Sequence, residues 1–166
     1  MQSWEAFGFM IRAAFEVEPP SSCETLPGMH LLSPEPIPTE ATPPFAPGEG
    51  AEVRFLGTVR GTEDGRPISG IDYSAYLPMA EKMLAALIEQ GRAEHGQHEV
   101  FIQHRLGFVG AEEPSIVIRV RSRHSAEAFD LCRWYLKEVK TRVPIWKRPV
   151  FADENGLAGG PGRDHV

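Results

Sequence analysis

The sequence predicts an α+β domain with a mostly antiparallel sheet and two main helices. Three observations carry that expectation. Stretches of alternating polarity recur from Ala51 onward. Two longer stretches show helical spacing instead, and the elements run strand, strand, helix, strand, strand, helix. The length, 166 residues, fits one domain with a sizeable core.

The chain opens on "MQSWEAFGFMIRAAFE", which Arg12 and Glu5 interrupt and which is too short to span a bilayer. It lacks the basic start of a signal peptide. Nine of the 15 prolines lie between Pro19 and Pro47, a density that opposes regular structure. The expected folded start is therefore near "MHLLSPEPI", at Met29, with 1–28 an extension or a misassigned start.

"AEVRFLGTVR" (51–60) alternates Val53 and Phe55 with Arg54 and reads as a strand. "GTEDGRP" is a turn-rich loop with Asp64-Gly65 at its tip. "ISGIDYSAY" (68–76) reads as a second strand. Pro78 then opens a helix to about Ala93, with Met79, Met83, Leu84, Leu87 and Ile88 at helical spacing. "HEVFIQHRLG" and "SIVIRVRS" read as two further strands, the latter with Ile116, Ile118 and Val120 opposite Arg119 and Arg121. Ser125 is the expected cap of a last helix, whose apolar stripe is Ala128, Phe129, Leu131, Cys132, Tyr135, Leu136 and Val139. Pro144 biases Val143 away from helix and ends it. The stretch 151–166 is expected to be a flexible tail.

A formal net charge of -6 opposes a general nucleic-acid binder, because phosphate contacts need a broad basic surface. Only Cys23 and Cys132 are present, without CxxC or Cys/His ligand spacing. That argues against a zinc site or a disulfide framework and fits a reducing cytosol. No cofactor is expected. Ser/His/Asp triad order, a GxSxG elbow and a GxxxxGK[ST] loop are all lacking.

Against this acidic background, Arg133 to Arg148 holds six basic residues and one acidic residue, Glu138. Its end, "KTRVPIWKR", sets Lys140 and Lys147 on either side of Pro144. If the chain reverses there, both ammonium groups face one pocket. They would then lower each other's pKa and serve in acid–base or covalent chemistry. With Arg142 or Arg148 they would also clamp a phosphate. The competing reading is a solvated basic helix end, favourable for the dipole alone. Trp146 is either a lid over a ring-shaped ligand or, in preference, a core anchor. His124 and Ser125 at a helix start suit an anion, or are a capping turn. Arg60 ends a strand and can reach an anion, or is simply solvated. His104-Arg105 reads as structural, and Cys132 as buried.

Taken together, these residues resemble the large, catalytic subunit of molybdopterin synthase. The matching pieces are "FLGTVR" (55–60), "YSAYLPMAEKML" (73–84), "HRLGFVG" (104–110), "SRHSAEAF" (122–129) and "LKEVKTRVPIWKR" (136–148). The match covers about Met29 to Val150, most of the chain. The resemblance implies an α/β hammerhead fold. It implies sulfur transfer to cyclic pyranopterin monophosphate, building the dithiolene of molybdopterin. The sulfur donor would be a small ubiquitin-like carrier subunit with a C-terminal Gly-Gly thiocarboxylate. A homodimer of large subunits within a heterotetramer is implied, without nucleic-acid or membrane partners. Lys140 and Lys147 would be catalytic, with Lys140 the better candidate at the carrier's C-terminus. Thr58, Val59, Arg60, His124, Ser125, Lys140, Lys147, Arg148 and Pro149 would line the substrate site.

Two positions depart from the family pattern. A family His-Arg stands here as His124-Ser125, and a family Glu after "WK[KR]" stands as Pro149. The alternative reading is therefore a non-catalytic paralogue that binds the carrier or a phosphorylated ligand. The retained lysine pair favours the enzyme.

Overall fold

The computed structural model describes residues 29–37 and 44–152. The first described strand, β1, runs Met29–Ser33. There follow β2 (Ala51–Thr58), β3 (Thr62–Glu63), β4 (Arg66–Ala75), α1 (Leu77–His95), β5 (Glu99–Arg105), β6 (Gly107–Gly110), β7 (Pro114–Ser122), α2 (Ser125–Arg142) and β8 (Ile145–Phe151). The extension 1–28 and the tail beyond Ala152 lie outside the described residues. Phe151 itself ends β8, and the Ala152 N–H bonds the Pro67 carbonyl, so both belong to the sheet.

The strands form two four-stranded layers. The first has the order β1-β5-β7-β2, with β1–β5 parallel and the other pairs antiparallel. The second is built on β4, which carries β6 on one edge and β8 on the other, with β3 at its start. The fold is α+β and mostly antiparallel, as expected. β8 went unrecognised because lysine, arginine and proline interrupt its apolar pattern, so "IWKRPV" reads as loop.

Both helices pack on the first sheet. Period two sends Ile116, Ile118 and Val120 of β7 and Val100 and Ile102 of β5 into one core with Leu84, Leu87 and Ile88 of α1 and Leu131, Tyr135 and Val139 of α2. A smaller core of Val59, Ile68, Ile71 and Val109 lies in the second layer. Two expected stripe residues are not core: Met79 and Phe129 stay exposed, at the edges of their helical faces. Arg121, expected on an outer face, is buried. It donates to Glu52 Oε2 at 2.6 Å and to the Pro44 carbonyl at 2.9 Å.

The helices meet where Gly91 faces Tyr135. A Cβ at Gly91 would lie 2.2 Å from the Tyr135 hydroxyl, so only glycine allows this approach. The same hydroxyl lies 2.7 Å from His98 Nε2, while His98 Nδ1 lies 2.8 Å from the Gly96 carbonyl. A carbonyl only accepts, so Nδ1 carries the proton and Nε2 accepts from the phenol. Burial pushes the Tyr135 phenol up and pulls the His98 imidazole down, so both groups stay neutral.

Two outcomes follow. Gly91→Ala should cost about 1–3 kcal/mol of stability by urea unfolding, and removing the colliding hydroxyl with Tyr135→Phe should recover part of it. The folded His98 pKa is depressed, so its contribution is full above the unfolded value of about 6.5 and declines as pH falls below it. The thermal midpoint should drop between about pH 7 and pH 5, and His98→Gln should flatten that slope.

Candidate functional site

Helix α2 ends at Arg142 because Val143, before Pro144, is extended (φ -79°, ψ 126°). The chain reverses there and enters β8, antiparallel to β4 with Tyr73 opposite Lys147 and Asp72 opposite Arg148. Residues opposite one another share a face, and neighbours along a strand do not. One face of the pair therefore carries Ile145, Lys147, Ile71 and Tyr73. The other carries Trp146 and Arg148 with Ser74 and Asp72. Arg148 closes a 2.8 Å ion pair with Asp72 on that outer face.

The inner face opens onto a cleft of about 580 Å³ between the two sheets and the end of α2. Lys140, Lys147 and Arg60 bring three cations to it. Phe55, Ile71, Ile116, Val139, Val143 and Ile145 give it apolar walls. Thr58 and Val59 line it as well, at the bulge where β2 leaves its register with β7 after Gly57. The lysines arrive from different elements, and the reversal at Pro144 brings them to one cavity.

Two further residues reach this cleft, one not singled out in the sequence and one expected to be structural. Glu63 stands on the β3–β4 hairpin, whose tip Asp64-Gly65 takes positive φ at both positions (51° and 76°), as a two-residue hairpin loop requires. Its carboxylate lies 2.5 Å from Lys147 Nζ and 3.9 Å from the Arg60 guanidinium. The hydrogen bond from Lys147, then its charge, hold the Glu63 carboxyl below the usual range. A single Glu in a turn-rich loop carries no periodic signal, so only the fold reveals its partners.

His104 is the second. Expected to be structural, it is buried on β5 and lines the cleft, its ring 5.0 Å from that of Tyr73 in an edge-on contact. Nδ1 donates to the Arg105 carbonyl at 2.7 Å, which leaves Nε2 as an acceptor. Burial keeps its pKa low, and the ring neutral. Its neighbour Arg105 turns away to Glu113 at 2.7 Å.

Other expected positions lie elsewhere. His124 is exposed and lines a second cavity of about 600 Å³ with Glu49, Glu99, Arg121 and Arg123. It is also the N-cap of α2, with extended backbone and no side-chain capping bond, so Ser125 is the first helical residue and not the cap. Arg148 and Pro149 are not among the residues lining the lysine cleft. Trp146, expected as a core anchor, is 57% exposed because it falls on the outer face of β8. "KTRVPIWKR" is thus a helix end and a strand. Cys132 is buried, and burial raises its thiol pKa, which suits a core residue.

Among the described residues, no cluster of His, Cys, Asp and Glu is arranged to hold a metal. No described helix is long and apolar enough to cross a membrane.

The family model for the MoaE protein matches residues 32–142. The chain belongs to the MoaE family. The molybdopterin synthase catalytic subunit of Thermoplasma volcanium is 42% identical over 110 residues, 66% of this chain and 80% of that one. The protein of the same name from Oryza sativa subsp. indica is 40% identical over 104 residues, 63% of this chain and 54% of that one. The chain therefore spans about half the length of the rice relative. The crystal structure of molybdopterin synthase from Staphylococcus aureus superposes with a TM-score of 0.68 at 31% identity, covering 74% of this chain and 90% of that one. The lysine cleft is formed largely by the part of the chain that the family model spans, and β8 adds Ile145 and Lys147 beyond it.

Lys140 and Lys147 are exposed, so neither should matter to folding. Lys140→Ala and Lys147→Ala should each shift stability by no more than about 0.5 kcal/mol in urea unfolding. Arg121→Ala, which strands the part-buried carboxylates of Glu52 and Glu49, should cost about 1.5–3 kcal/mol in the same assay.

Proposed function

We propose that the chain is the catalytic subunit of a molybdopterin synthase. It would transfer sulfur from the thiocarboxylated C-terminal Gly-Gly of a small ubiquitin-like carrier to cyclic pyranopterin monophosphate. The observation that carries this reading is the convergence of Lys140, Lys147 and Arg60 on one cleft with apolar walls. On an acidic chain, three cations around one cleft suit a small anionic ring.

The cleft meets what such a reaction needs. Both reactants are anionic, one through its phosphate and the other through its thiocarboxylate. Their approach is opposed by charge unless cations stand between them. Arg60 and Lys147 take the phosphate in this reading. The apolar walls take the ring system, and Thr58 and Val59 give the backbone edge beside it. Lys140, at the end of α2, meets the carrier's C-terminus in a covalent or acid–base role. His104 adds a neutral acceptor at Nε2 within reach of the cleft. Sulfur comes from the carrier, so the buried Cys132 has no part in the step.

Within one chain, His124 and the lysines line different cavities. His124 and Ser125 can serve the same substrate as Lys140 only if a second copy presents them. That supports a homodimer of large subunits with a carrier at each end, a heterotetramer. The residue after His124 is a serine, so this contribution lacks a guanidinium and binds the anion less firmly. The absence of a described membrane-crossing helix and the cysteine usage fit a cytoplasmic enzyme that needs neither nucleic acid nor membrane.

Reconstitution with thiocarboxylated carrier and cyclic pyranopterin monophosphate should yield molybdopterin, read as its fluorescent oxidation product. Lys140→Ala should lower turnover by at least about 100-fold while carrier binding stays nearly unchanged. Equal turnover by that variant would sink the role given to Lys140. No product from the unaltered chain, with an authentic synthase active alongside, would sink the enzyme reading.

A further inference from the structure

We infer that Glu63 is an internal counter-anion of the cleft, and that an anionic ligand binds by displacing its carboxylate from Lys147 and Arg60. The inference rests on reading the lysine cleft as an anion site and adds a residue that tunes it.

Three observations support it. The Glu63 carboxylate lies against both cations, 2.5 Å from Lys147 and 3.9 Å from Arg60. Its side chain is 15% exposed, while those of Lys147 and Arg60 are 56% and 83% exposed. The carboxylate thus sits beneath two cations that are themselves open to solvent. Finally, β3 has just two residues, paired with Arg66 and Pro67. Glu63 can turn its side chain away without disturbing either core, because no residue of β3 belongs to one.

An anion arriving between Lys147 and Arg60 meets a place already filled by negative charge. It must either replace that carboxylate or bind beside it against repulsion. In both cases Glu63 weakens the binding of any anion, through the ion pairs it gives up or through a repulsion that grows with the ligand's charge. The cleft then discriminates by charge as well as by shape, because only a ligand that recovers the ion pairs of Glu63 enters. The lowered pKa of Glu63 means that the carboxylate is charged at neutral pH, so the competition operates there.

The test is a titration with inorganic phosphate followed by NMR of the full chain, with Glu63→Gln against the unaltered protein. Glutamine keeps the shape and a hydrogen-bond acceptor for Lys147 but removes the charge. Phosphate should bind the variant about five-fold more tightly, the size expected for losing one unit charge at about 4 Å near water. In the double variant Glu63→Gln/Lys147→Ala that gain should vanish. Glu63→Thr, which keeps strand propensity, repeats the comparison should the glutamine variant misfold. Equal or weaker phosphate binding by the charge-neutral variants, or no saturable binding by them, would overturn the inference and make Glu63 a positioning residue for Lys147 or a hairpin contact. Phosphate binding needs neither carrier nor turnover. A chain that makes no molybdopterin can therefore still pass or fail this test on its own terms.

Discussion

The antiparallel pairing of β8 with β4 is the constraint on which the site depends. Seven residues of β8 follow α2 after Val143 and Pro144, and their register with β4 sets Tyr73 opposite Lys147. That register decides which side chains face the cleft. A shift of one residue would turn Trp146 and Arg148 inward and send Lys147 to solvent. The proline between helix and strand makes the reversal abrupt, so Lys140 and Lys147 reach the same cavity from two elements. Arg148 with Asp72 on the outer face and Ile145 against the core both oppose such a slip.

The paired strands lie in the second layer, and their Ala75–Ile145 end packs against the larger core of the first. The first sheet and both helices enclose the larger core, and the second sheet holds four buried residues of its own. A core that small contributes little by itself, since each buried aliphatic side chain is worth about 1.5–3 kcal/mol before the entropy of ordering its strands. The second layer is held to the first because β4 leads into α1 and β8 follows α2, with Ala75 and Ile145 against the larger core, and because Val59, just past β2, belongs to the smaller core. The cleft lies at this seam. Its walls come from both layers, so the seam that holds the fold together also sets the cations at the apolar edge of the helix–sheet core, beside Ile116, Val139 and Val143.

Much of this was legible in the residues themselves. Helix α2 could be read because its apolar spacing, its acidic start and Pro144 agree with one another. Strand β7 could be read because Ile116, Ile118 and Val120 alternate without interruption. The two lysines could be paired because proline makes a reversal at a known place. What could not be read depends on partners distant in sequence. β8 looks like loop until β4 supplies its ladder. Trp146 looks like a core anchor until register puts it on the outer face. Glu63 and His104 are 84 and 43 positions from Lys147, and no local pattern links them to it. His124 is a different case. Its position at a helix start was read correctly, but a helix start says nothing about which cavity it faces.

The charge pattern follows from the same geometry. An acidic chain concentrates cations where α2 ends and β8 begins, and two of them, Lys140 and Lys147, line the cleft with Arg60 from the end of β2. Lys140 lies in the last turn of α2, where positive charge suits the dipole whether or not a ligand is present. Its placement is thus stable without help from the site. Lys147 has no such support from a helix end, and in the free chain its charge is balanced by Glu63 instead. The two lysines, alike in type and lining one cavity, therefore differ in what holds them. One answers to the backbone of a helix and the other to a movable side chain. That asymmetry leaves Lys140 free to meet an incoming reactant, while Lys147 must first exchange one anion for another.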